Sequence, residues 1–131
     1  MTASLEAHNL IILFTFLNVI FLWIHELDAS RKGEWRMFGF LSGLKENMQR
    51  NFYLFAHIPL LLFTIYYLWT VINFHNFTLW IIWNGLMFIH LLIHLYAKRW
   101  KSNVFKSSSS FIFIYLTAIT AFINLLLSNY Y

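Results

Sequence analysis

Residues 9–27 read NLIILFTFLNVIFLWIHEL, an apolar run whose ionisable residues, His25 and Glu26, stand together at its end. A helix needs about 20 mostly apolar residues to cross the roughly 30 Å hydrocarbon core of a bilayer. This run is of that length, and three more follow at about 51–74, 77–97 and 111–128. Lipid offers backbone amides no partners, so each run must pair its own as a helix. The sequence therefore predicts an all-α, four-transmembrane-helix bundle, a single integral membrane domain over residues 1–131. Residues 28–50 and 98–110 are the loops that carry charge. Pro59 inside the second run removes one backbone hydrogen bond and predicts a kink there.

Composition agrees. Of 131 residues, 60% are hydrophobic and 11% charged, against about 25% charged in a water-soluble domain. Aromatic residues reach 21%, as expected where rings gather at membrane interfaces. Trp23, Trp35 and Trp100 are expected to be such anchors. With no cysteine, disulfides, thiolate ligands and thiol nucleophiles are excluded. Residues 1–10 carry no Lys or Arg, and no small-residue cleavage site follows the first run. That run is thus expected to remain as a helix rather than leave as a signal peptide.

The net charge of +4 is no nucleic-acid footprint, because all nine basic residues fall in two loops. Arg31, Lys32, Arg36, Lys45 and Arg50 lie in the first; Lys98, Arg99, Lys101 and Lys106 lie in the third. The connection around His75 and Asn76 has none. The positive-inside rule places the basic loops in the cytoplasm and both termini outside. A bacterial inner membrane is the expected location. The segment 35–44 mixes apolar and basic residues and is expected to lie along the membrane surface. Asn76-Phe77-Thr78 fits a glycosylation triplet, a pattern common by chance. The serines 107–110 are expected to cap the fourth helix.

This topology gathers four histidines. His25 is near the end of the first helix, His57 about two turns into the second, and His90 and His94 in the last turns of the third. At about 1.5 Å per residue, they share a level to within roughly 10 Å. His8 and His75 fall at the opposite face. His90 and His94 are four residues apart and project from one stripe. Asn18, His25 and Asp28 share a face of the first helix; Thr117, Thr120 and Asn124 make a polar stripe on the fourth. Polar groups in lipid turn toward the bundle interior, so these stripes are expected to meet.

Ionisable residues inside a membrane are costly and mark function. Neutral imidazoles with one or two carboxylates from Glu26, Asp28 and Glu34 suit zinc or non-haem iron, with copper a further option. His25, Asp28, His57, His90 and His94 are the candidate ligands. The bland alternatives are that each histidine is an interfacial polar group, and that Asp28 and Glu34 are ion-paired with nearby basic residues. His90-Leu91-Leu92-Ile93-His94 lacks the glutamate of the zincin motif.

Several of these segments occur together in a known pattern. His25-Glu26-Leu27-Asp28-Ala29, Glu34-Trp35-Arg36, Ala56-His57-Ile58-Pro59-Leu60, the His90/His94 pair and a basic loop leading to Phe105 and Ser107 resemble an uncharacterised family of small bacterial membrane proteins, the domain of unknown function DUF6713. The resemblance covers nearly the whole chain. It implies a four-helix membrane protein with a histidine- and acid-bearing cytoplasmic side, adds Arg36 and Glu34 to the candidates, and supplies no activity.

The leading expectation is a metal-dependent membrane enzyme acting on a lipid or isoprenoid. Glu26 would assist the metal, Glu34 would carry protons, and Arg36 would bind an anionic head group. The alternatives are a haem protein with two axial histidines, or a transporter or channel subunit conducting through Asn18, Asn84 and Thr117. A thin bundle of this size is also expected to form homo-oligomers.

Overall fold

The computed structural model describes residues 2–74, 76–99 and 108–130. Four helices, α1 (Thr2–Lys32), α2 (Glu46–Phe74), α3 (Phe77–Ala97) and α4 (Ser108–Leu126), make an all-α bundle. All four are long and apolar enough to cross a membrane. Two 3-10 turns, Glu34–Met37 and Gly39–Leu41, connect α1 to α2, and a third, Ser128–Tyr130, follows α4.

α1 and α2 outrun the apolar stretches that predicted them. Their 31 and 29 residues span about 46 and 44 Å at 1.5 Å per residue, more than the hydrocarbon needs. Hydropathy marks where lipid is, while helix ends obey local chemistry. Asp28 accepts from Arg31 at 3.2 Å and from Lys32 at 2.5 Å. These i,i+3 and i,i+4 pairs continue α1 past Leu27 and place cations at its negative end. Gly33, at φ 72°, then ends it in the left-handed region that favours glycine. α2 starts at Glu46, an acid in the first turn, and Pro59 lies inside it without ending it. Asn76 accepts from the Leu79 amide at 3.0 Å. It caps α3, a structural role for the residue that also opens the glycosylation triplet.

α1 packs most closely on α4, and α4 in turn on α3. The contact face of α4 carries Thr117, Ala118, Thr120 and Ala121, small residues that let helices approach in lipid. The expected polar stripes do meet. Asn18 Nδ2 donates to Thr117 O at 2.7 Å and to Thr120 Oγ1 at 3.1 Å, while Trp83 Nε1 donates to Asn18 Oδ1 at 2.8 Å. Asn124 Nδ2 donates to Asn84 Oδ1 at 3.2 Å. Tyr67 and Trp83 stack at 4.4 Å and fix α2 against α3. Large apolar side chains such as Phe55, Leu62 and Leu92 point outward, each more than 60% exposed, as lipid-facing residues do.

The segment after α1 does more than skirt a surface. Glu34, Trp35, Met37 and Leu41 are buried, and Met37 reaches across to Ile114, Leu91 and Phe111. The turns thus close one end of the bundle. Trp35 is correspondingly no interfacial anchor: it is 6% exposed and packs on Ala29 and Tyr53. Trp100 lies outside the described residues.

Candidate metal centre

α3 supplies the first two groups. One helical turn separates His90 from His94, and their Nε2 atoms lie 2.8 Å apart. α1 supplies the third, with His25 Nε2 3.2 Å from His94 Nε2. The three rings sit 4.6 to 5.1 Å apart, centroid to centroid, and one ligand atom of each lies within 4.8 Å of the others. Two nitrogens bound to one ion at about 2.05 Å stand about 3.3 Å apart at the tetrahedral angle and about 2.9 Å at a right angle. Both observed separations fall close to that range. His25 is 1% exposed, held where α1 is clamped to α4.

Glu26 stands beside this triad. Its Oε1 lies 3.8 Å from His90 Nε2. Its Oε2 is 2.8 Å from His57 Nε2 and accepts from Tyr53 Oη at 3.2 Å. His57 Nδ1 lies 2.6 Å from Tyr53 O. A carbonyl only accepts, so Nδ1 of His57 carries a proton, and Nε2 either donates a second one to Glu26 or offers its lone pair. Tyr53 was missed in the sequence, although it sits four residues before His57 and so shares its face.

A cavity of about 240 Å³ joins these groups, with His25, Glu26, Glu34, Tyr53, His57, His90 and His94 in its wall. Glu34 reaches it from the 3-10 turn and is 3% exposed. Its Oε1 is buried with no hydrogen-bond partner among the described residues. Burial, reinforced by the negative charges of Glu26 and Asp28, pushes its carboxyl up to about 8. The Lys32 charge and the Ser110 hydroxyl pull the other way without reversing this, so Glu34 holds its proton more tightly than an ordinary carboxyl.

The other sequence candidates lie elsewhere. Asp28 turns from the triad toward α4, accepting from Ser110 Oγ at 2.5 Å and from Ser109 Oγ at 3.2 Å besides its two cations. Ser109 and Ser110 thus tie two helices together inside the first turn of α4 rather than cap it; Ser107 lies outside the described residues. Arg36 is paired with Glu46 and lies over the Trp35 ring at 5.6 Å, outside the cavity wall. His57 pairs with Glu26 and is not one of the three histidines whose ligand atoms converge. His8 lies in the opening turns of α1, toward the other end, and His75 falls outside the described residues.

A second cavity, about 290 Å³, opens between α1, α2 and α3. Leu22, Leu60, Phe63, Trp83, Leu86 and Met87 make it apolar, and Glu26 and His90 close one end.

The model of a Family of unknown function (DUF6713) matches residues 11–131, and the chain belongs to that family. No curated protein and no solved structure matches it.

Proposed function

We propose that this chain is a membrane-embedded metalloprotein whose centre is held by His25, His90 and His94, and that it acts as an enzyme on a lipid-like substrate. The observation that carries this is the convergence of three Nε2 atoms. An imidazole nitrogen has a single in-plane site, either an N–H or a lone pair. His94 Nε2 faces two other Nε2 atoms at 2.8 and 3.2 Å, and one hydrogen serves only one such neighbour well. A cation shared by three lone pairs serves all of them. Three protein ligands with a further position open is the pattern of catalytic rather than structural zinc sites. A haem would have to slide a porphyrin plane between nitrogens this close, so a bare ion is the better fit.

A divalent cation there supplies a Lewis acid that polarises a carbonyl or phosphoryl oxygen, or with iron or copper a redox centre. The protein contributes neutral imidazoles, a carboxylate fixed beside them by His57 and Tyr53, and a water-poor setting that strengthens every charge interaction. The apolar cavity that ends at Glu26 and His90 supports a substrate with a hydrocarbon tail, entering between α2 and α3 with its polar end toward the triad.

Elemental analysis of the detergent-purified chain tests the centre. Stoichiometric zinc, iron or copper is expected, and its loss in His90→Ala. A wild-type chain that takes up no metal after incubation with each ion sinks the reading. Comparing membrane lipid profiles of cells making wild-type or His90→Ala protein tests the substrate class, and identical profiles count against it.

A further inference from the structure

We propose that Glu26, His57 and Glu34 hold a second divalent cation, with the Glu26 carboxylate bridging it to the ion of the His25/His90/His94 triad. This rests on the metal reading above and extends it from one ion to two.

The carboxylate of Glu26 is divided between two sets of nitrogens. Oε1 faces the triad, 3.8 Å from His90 Nε2, and Oε2 faces His57 Nε2 at 2.8 Å. Carboxylates that span two metal ions present one oxygen to each, and such pairs sit about 3.5–4 Å apart.

The tautomer of His57 points the same way. With the proton on Nδ1 and directed at Tyr53 O, neutral His57 has its lone pair on Nε2. That lone pair confronts Glu26 Oε2, an acceptor already taking a hydrogen bond from Tyr53. Two acceptors at 2.8 Å repel, so something positive lies between them, either a second proton on His57 or a cation. An N–H donated to a backbone carbonyl is the usual orienting device behind a metal-bound histidine. The separation of 2.8 Å also matches the roughly 2.9 Å expected for nitrogen and oxygen bound at a right angle to one ion.

Glu34 provides the independent observation. The residue is 3% exposed and lines the same cavity, and its Oε1 has no hydrogen-bond partner among the described residues. A buried carboxyl oxygen left without a partner is unfavourable, and a cation bound beside it would let Glu34 give up its proton and serve as a ligand. Bundle proteins that bind two metals use this donor chemistry, with carboxylates and histidines projecting inward from facing helices.

The test is a metal count. The full chain in detergent is stripped with chelator and reloaded separately with zinc and manganese. Two ions per wild-type chain are expected, with a spin-coupled manganese pair in the electron paramagnetic resonance spectrum. Glu34→Gln and His57→Gln should each retain one ion, with the spectrum of isolated manganese. Thermal unfolding of both variants checks that they fold, and Glu34→Gln, nearly isosteric, carries the result if His57→Gln does not. One ion per wild-type chain, unchanged in either variant, overturns the second site, leaves the triad standing and identifies His57 with Glu26 as a plain imidazolium–carboxylate pair. No ion in the wild type overturns the triad reading, and this inference falls with it.

Discussion

His25 Nε2 and His94 Nε2 lie 3.2 Å apart although 69 residues separate them in the chain. α1 and α3 reach this contact because both pack on α4, whose Thr and Ala residues let them close in. A ligand shared across that contact would link the helices directly.

Metal should therefore stabilise the fold as well as serve chemistry. Zinc at a hundredfold excess over its Kd is expected to add about 2.7 kcal/mol to the unfolding free energy. The gain should vanish with chelator and be absent in His94→Ala. Thermal unfolding in detergent measures it, and an equal metal response in His94→Ala would contradict the assignment.

The polar network midway along the bundle is predicted to matter to stability alone. Asn18→Leu removes the acceptor of Trp83 Nε1 and the donor to Thr117 O and Thr120 Oγ1. Interhelical hydrogen bonds in membranes average about 0.6 kcal/mol and reach about 1.7, so a loss of roughly 1–3 kcal/mol is expected. Metal content per folded chain should not change.

Gly33 sets the turn that brings Glu34 to the cavity. At φ 72° a Cβ is strained, and it would come 2.6 Å from Arg36 Nη1. The arginine tip can move, so the backbone cost dominates, and Gly33→Ala should destabilise by about 1 kcal/mol. If Glu34 is a ligand, the same variant should weaken metal uptake; a shift in stability with full uptake would separate the two roles.

Glu34 gives the metal-free chain a pH signature. Burial raises its carboxyl from the ordinary carboxylate range to about 8. The folded chain thus holds this proton more tightly than the unfolded one. Its contribution is most favourable below the unfolded value of about 4.5, and it is lost progressively as pH rises from there through about 8. Stability of the chelated wild type should fall across that window more than that of Glu34→Gln. A protonated-carboxyl infrared band should disappear near pH 8 in the wild type and be missing in the variant.

The chain has no cysteine, so single-cysteine variants report topology directly. Lys45→Cys in the connection between α1 and α2 is expected to react with an impermeant thiol reagent only after cells are opened. Ser4→Cys should react in intact cells. The reverse pattern would place the metal centre at the outer leaflet.

Four apolar runs, the i,i+4 spacing of His90 and His94, and the shared level of His25 and His57 were all legible along the chain, because hydropathy and the 3.6-residue turn are local properties. They determined an all-α membrane bundle and pointed to one end of it. Which groups actually touch was decided elsewhere. His57 joined Glu26 instead of the other histidines, Asp28 turned to Lys32 and Ser110, and Tyr53, Glu34 and Trp35 went inward. These choices depend on how each helix is rotated about its axis against its neighbours. Contacts such as Asn18 with Thr117 and Tyr67 with Trp83 fix that rotation, and they join residues distant in sequence. A periodic pattern within one helix carries no information about the azimuth of the next, so only the packed tertiary structure could sort three imidazoles from four.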